Sequence, residues 1–203
     1  MLLDKNWFKG RTPDAGGITK ATENALPEAF RKKWLNGQMR GVTVDRAHRL
    51  MPSLFCDSCS GLRYADFGPG VGYTALAVQA AGHQVTVVDD TKSQYQSVLK
   101  GLGLSCLWCK FGIDQIPIED NSLQAASCFR VVNLTDFTRC LKEDYDGKGT
   151  DLYENLLLDF HRVLMKDCWL AIGPLAPKQL PVAKKIFQVV EGSVPKHYIL
   201  TKV

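Results

Sequence analysis

The stretch Asp66-Phe67-Gly68-Pro69-Gly70-Val71-Gly72 joins an acid to three alternating glycines, a pattern suited to holding a ligand against bare backbone. Leu62-Arg63-Tyr64-Ala65 before it has strand character, and Tyr73 to Ala81 is rich in helix formers. The turn therefore opens onto a helix N-terminus, where free N–H groups point outward and glycines keep Cβ atoms out of the way. The spacing is GxGxG. The GxGxxG of dinucleotide binders would put its third glycine at position 73, which is Tyr73. A carboxylate at Asp66 repels a pyrophosphate but accepts a hydrogen bond from an ammonium group or a water. A plain strand-to-helix turn uses such glycines too, so the rest of the chain must decide.

Other reactive side chains are weaker signals. Cys56/Cys59 and Cys106/Cys109 form two CxxC pairs among seven cysteines. A CxxC…CxxC set can bind zinc. Here the second pair falls in or beside an apparent strand, where residues three apart face opposite sides, and neither pair has the Gly/Lys-rich knuckle of a zinc ribbon. Reduced, mostly buried thiols and no metal are the expectation. The odd count in a chain read as cytoplasmic also argues against a disulfide framework. Nothing near Cys128 or Cys140 would lower a thiol pKa. His48 can reach a site from an N-terminal lid as a base, although a helix-surface histidine is the simpler reading.

These groups need elements to position them. Val85 to Val88 is a β-branched run ending in Asp89-Asp90, and Lys92 to Leu102 is helical in composition up to Gly103. Strands are expected over 105–110, over 122–129 after the turn pair Asp120-Asn121, and over 168–173. Leu156, Leu157, Phe160, Val163 and Leu164 at helical spacing predict a helix over 152–164, with a shorter one over 178–185. Segments 187–190 and 197–200 predict a closing hairpin. Alternating elements imply a parallel sheet with helices on both faces. Ahead of them lie an irregular arm over 1–23, an amphipathic helix over 24–36 carrying Phe30 and Trp34, and a short helix over about 44–50. Residues 134–151 read as an insertion loop.

The 203 residues suit one domain. No apolar run approaches the roughly 18 residues of a membrane span, and the start of the chain lacks a signal-peptide core, so a cytoplasmic protein is expected. The net charge of +4 is uneven: residues 1–63 hold eleven Lys/Arg against six Asp/Glu, and residues 64–203 hold fourteen against fifteen. The basic excess favours an anionic substrate or nucleic acid, or is simply a solvated helix surface.

The glycine segment resembles motif I of the class I S-adenosylmethionine (SAM)-dependent methyltransferases, and the likeness runs from about Leu62 to the C-terminus. It implies an α/β fold: a single-domain, Rossmann-like, seven-stranded, mostly parallel sheet with helices on both faces and a C-terminal antiparallel hairpin. Residues 61–203 would be the SAM-binding core, and residues 1–60 an N-terminal helical extension or lid. The resemblance implies SAM as cofactor, with Asp66, Gly68, Gly70 and Gly72 in its turn. Asp89, seventeen residues beyond Gly72, would take the ribose hydroxyls, with Asp90 as its neighbouring substitute. The stretch from Phe111 to Ser122 looks like the family's third-strand loop, which would pack Ile113 on the adenine and set Asp114 against its amino group. His161-Arg162-Val163-Leu164 is similar to the family's RVLKPGG helix end. Ser122-Leu123-Gln124 departs from the usual Ser-Phe-Asp, and Lys166-Asp167-Cys168 from the PGG turn.

Methyl transfer from a sulfonium needs alignment above all, and a base only where the acceptor must lose a proton. The catalytic residues are accordingly left unassigned. Ligands of open α/β sheets lie beyond the carboxyl ends of the strands. That points to Phe129, beside the cofactor, and to Arg130, Asn133 and Asp136 on the acceptor side, with His48 reaching in from the N-terminal lid. Tyr145 in the insertion is a further candidate. A small-molecule methyltransferase is the leading expectation. An RNA or protein methyltransferase using the basic N-terminal region and a non-catalytic SAM-binding protein are the alternatives. The acceptor and the oligomeric state are not legible.

Overall fold

The computed structural model describes residues 28, 46–47, 49–55, 60–129, 131 and 149–203. The strands are β1 (Arg63–Phe67), β2 (Gln84–Asp89), β3 (Cys106–Trp108), β4 (Leu123–Phe129), β5 (Leu164–Gly173), β6 (Gln188–Glu191) and β7 (Tyr198–Thr201). The main helices are α1 (Tyr73–Ala80), α2 (Gln96–Gly101), α3 (Gly149–Val163) and α4 (Leu180–Ile186), preceded by a 3-10 turn over Pro52–Phe55. One sheet results, in the order β3-β2-β1-β4-β5-β7-β6. Neighbours from β3 to β5 are parallel, and β7 runs antiparallel to both β5 and β6. The expected seven strands and closing hairpin are therefore present.

Alternation along each strand sorts the core into two layers. Ala65, Phe67, Ala126, Cys128, Leu170 and Ile172 face α3 and α4, where Leu156, Leu157, Phe160 and Ala183 cover them. Tyr64, Ala125, Phe129 and Ala171 face the other way, against Ala77 and Val78 of α1 and Ala47, Leu50, Met51, Leu54 and Phe55. The segment around 46–55 thus completes one face of the sheet. His83 ties it to the amino end of β2, with Nε2 within 2.5 Å of the Leu54 carbonyl oxygen. At the far side the Ser193 hydroxyl donates to the Arg49 carbonyl oxygen.

Several boundaries depart from the sequence expectation; α3, for one, starts at Gly149, inside the expected 134–151 loop. The helix expected from Lys92 starts at Gln96, because Asp90 and Ser93 draw the preceding N–H groups into a turn. Lys92 N donates to Asp90 Oδ1, and Tyr95 N to Ser93 Oγ. β3 is shorter than expected, ending at Trp108. β5 begins at Leu164, not at Cys168, and its register with β4 shifts between Leu123 and Ala125. Within it Asp167 takes φ 60°, the left-handed conformation its short polar side chain tolerates, and its N–H bonds the Lys202 carbonyl. Asn121 in the expected Asp120-Asn121 turn is likewise left-handed, at φ 51°.

Candidate active site

The parallel pairing of β1 with β2 and β4 brings three carboxyl ends together. Phe67 lies opposite Val88, and Asp66 opposite both Val87 and Ser127. From there the chain turns through Gly68, Gly70 and Gly72, at φ 69°, 57° and 82°. A side chain is strained at each of these angles. At Gly68 it is also barred by space, since a Cβ there would lie 1.9 Å from Val131 Cγ2, just past the end of β4. Gly70 differs: a Cβ there would meet nothing within 4 Å. The turn is thus packed at its entrance and open at its crest. Gly72 forms the N-cap of α1, with no side-chain cap.

Asp66 lies under this turn, 2% exposed. Ser127 Oγ donates to its Oδ1 at 2.6 Å, and the Tyr64 hydroxyl is hydrogen-bonded to Ser127 Oγ in turn. Asp66 Oδ2 has no hydrogen-bond partner among the described residues. Burial above all pushes the Asp66 carboxyl up to about 7; Asp89 adds to the rise, while Ser127 and the Ala75 backbone N–H oppose it.

Asp89 ends β2 and is also buried. Its Oδ1 accepts from Asp90 N at 2.9 Å and its Oδ2 from Ser93 Oγ. Burial raises its pKa against those two donors. A carboxylate offers about four lone-pair sites, so two remain for a ligand. Asp90, one residue on, faces its own loop through Lys92 N.

Beyond β3 the chain doubles back. Asp114 Oδ2 accepts from Lys110 N, which braces the loop, and Ile113 is exposed. The Cys109 thiol marks how these acids gather: burial first, then Asp114, Asp159, Asp90 and Asp89, push it up to about 12. Cys106 is raised to about 12 as well, by burial and Asp89. Cys106, Cys109, Cys128 and Cys168 are free thiols, while Cys56, Cys59 and Cys140 lie outside the described residues.

Phe129 ends β4 beside two groups the sequence reading passed over. The Arg46 guanidinium carbon is 6.0 Å from its ring centroid, and the His197 ring centroid is also 6.0 Å away. Both residues are buried. Only the strand order, which lays β7 beside β5, brings His197 to the carboxyl end of the sheet. Ser127 was missed for a similar reason: a lone serine in an apolar strand declares its partner only once the register is known. Of the residues expected on the acceptor side, His48, Arg130, Asn133 and Asp136 lie outside the described residues, as does Tyr145.

No protein-family model and no curated protein matches this sequence. Solved structures do match. A Methanococcus maripaludis protein, assigned by inference as a SAM-dependent methyltransferase, aligns over 100% of this chain and 97% of its own, with 13% identity and a TM-score of 0.55. The chain has the fold of the class I SAM-dependent methyltransferases. A TehB-like SAM-dependent methyltransferase from Corynebacterium glutamicum aligns over 90% of this chain and 97% of its own, at 15% identity and a TM-score of 0.53. The chain spans 39% of a larger Galdieria sulphuraria protein, assigned by inference as a sarcosine dimethylglycine methyltransferase. That likeness, over 56% of this chain at 18% identity and a TM-score of 0.42, carries nothing further. In this methyltransferase fold, the glycine turn, Asp66 and Asp89 stand at adjoining strand ends. Ile113 and Asp114 stand on the loop after β3, and Phe129 on the far side of the turn.

Proposed function

We propose that the protein binds SAM at the glycine turn and transfers its methyl group to a small-molecule acceptor. The observation that carries this reading is the crest of the turn: a left-handed, sterically open Gly70 between a buried acid with an unused oxygen and a second acid at the end of β2. Gly68, Gly70 and Gly72 would admit the cofactor to the backbone. Asp66 would face its amino acid portion, Asp89 its ribose, and Ile113 and Asp114 its adenine. When bound, SAM supplies an activated methyl group on a sulfonium. The chain's own part is to orient the acceptor and exclude water. Arg46 and His197 both lie against Phe129 at the end of β4, a cluster that would border the acceptor side.

The residues before the core, 1–60 in this reading, would cover the acceptor side. We place the protein in the cytoplasm; no helix among the described residues is long and apolar enough to cross a membrane.

Titration calorimetry tests the cofactor. SAM is expected to bind and NADH not to. Asp89→Ala is expected to weaken SAM by about 1.5–3 kcal/mol, the range for a hydrogen bond to a charged group, and Asp90→Ala by less. NADH binding without SAM binding would overturn the reading, and a silent Asp89→Ala beside a damaging Asp90→Ala would move the ribose contact by one residue. Tight SAM binding with no turnover across a broad acceptor panel would mark a binding protein and not an enzyme.

A further inference from the structure

The three polar residues beneath the glycine turn form a closed line of donors ending on one acid. Tyr64 and Asp66 are two apart on β1 and share a face, and register places Ser127 of β4 beside Asp66. Tyr64 and Ser127 are fully buried. Ser127 can donate only one proton, and it gives that proton to Asp66 Oδ1, so the Tyr64 hydroxyl donates to Ser127. The line therefore points one way and leaves Asp66 Oδ2 as its unmatched end.

Among the described residues no cation balances this acid. The titratable groups felt at Asp66, or feeling it, are Tyr64 on its own strand, Asp89 on β2 and Cys128 on β4. From α1 comes only the Ala75 backbone N–H. All three titratable neighbours are neutral or negative, so among the described residues only dipoles hold an anion at Asp66. A buried carboxyl in such company holds its proton to higher pH than usual, and a positive charge set beside it releases that proton.

We propose that Asp66 receives the cofactor as a carboxylate and gives up its proton on binding, so that cofactor uptake expels one proton from the Tyr64–Ser127–Asp66 line. This rests on the reading of SAM as the ligand. The bond broken is the Asp66 O–H. The proton leaves to solvent, and the α-ammonium of the cofactor's amino acid portion takes its place as the balancing charge. The elevated position of Asp66, near 7, sets the window. Below it, each unit of pH lowers the competent, ionised fraction tenfold. The cofactor's own amine cannot mimic this. An α-amino group titrates at about 7.7–8.0, and binding it as an ammonium takes a proton up. Asp89 can mimic it, since ribose donors would also favour its anion, and a substitution must separate the two.

Calorimetry of the full chain with SAM, in two buffers of different ionisation enthalpy, reads the proton directly. Close to one proton is expected to be released per SAM near pH 6, with release fading towards pH 8. The Kd is expected to rise about tenfold per pH unit below about pH 6.5. Asp66→Asn should abolish that release. Ser127→Ala removes a donor that favours the anion, and should carry the release to higher pH. If Asp66→Asn does not fold, the shift in Ser127→Ala decides alone. Binding with flat affinity and no proton exchange would overturn the proposal, as would an unchanged release in Asp66→Asn, which would assign the proton to Asp89. Absence of SAM binding at every pH would instead overturn the cofactor reading on which the proposal stands.

Discussion

The buried Asp66 ties stability to pH. Its carboxyl is about 7 in the folded chain and near the ordinary 3.8 in the unfolded one, so the native state holds the proton more tightly. Its stabilising share is full below about pH 4 and is lost as pH rises towards 7. Three units at about 1.36 kcal/mol each bound that loss at on the order of 4 kcal/mol. Asp66→Asn keeps an oxygen for the Ser127 hydroxyl and has no charge to bury. It is expected to melt higher than wild type at pH 8 and to lose most of that advantage at pH 5, by thermal denaturation at both. A variant that is less stable at pH 8 would show that the anion is better solvated than its surroundings suggest. Two thiols near Asp89 titrate in the same sense. Burial and nearby acids hold Cys106 and Cys109 up at about 12. Iodoacetamide at pH 8 should leave their peptides unlabelled in the native protein and label them in urea, since the thiolate is the nucleophile. Native labelling would mean the strand end opens far more often than its packing implies.

The loop from Phe111 to Asn121 is fixed from outside, by α3. Arg162 Nε donates to Asp159 Oδ1, and its terminal nitrogens reach the Ile116 and Ile118 carbonyls and Asp120. Asp159 returns the bond by accepting the Ile116 N–H. The Asp120 contact is exposed and contributes little; the fork onto two carbonyls and a shielded acid is the stronger part. Arg162→Lys keeps the charge but cannot fork. It is expected to cost about 1–3 kcal/mol and to speed hydrogen exchange at the Ile116 amide more than in β4. Equal protection in the variant would sink the clamp. This element also shows what was legible beforehand. Strand and helix identities, the glycine turn and the acid at the end of β2 follow from local pattern, because 62–65, 85–88 and 152–164 carry their own periodicity. The His-Arg-Val-Leu stretch could be matched by eye, but the loop Arg162 grips is over forty residues away and no local rule connects them. Ser127 and His197 stayed hidden for the same reason: their partners are chosen by sheet register and strand order. β5 was misjudged at its start because Asp167 takes the left-handed turn where the family pattern has glycine.

At the scale of the whole chain, the split at residue 60 is a division of sequence that packing crosses. Leu50, Met51, Leu54 and Phe55 are buried on the same sheet face as Tyr64 and Phe129. At about 1.5–3 kcal/mol each, these four side chains rival the roughly 5–15 kcal/mol by which a domain is stable. A chain starting at residue 61 is expected to show a transition well below that of the full chain or none, by urea denaturation. If the shorter chain is as stable as the longer, the 46–55 segment is dispensable padding and the lid can be removed without touching the core. The strand order has a different consequence, in the sequence of events during synthesis. β7 lies between β5 and β6 in the sheet, yet it is made after both. While the ribosome is still assembling residues 198–201, β5 has one open edge and β6 has nothing to pair with. Everything that forms the glycine turn is already out by then, so the ligand side can be assembled around a sheet that is still unclosed. A stalled or clipped chain ending near Gly192 would present that bare β5 edge to its neighbours, as a template for strand pairing between molecules.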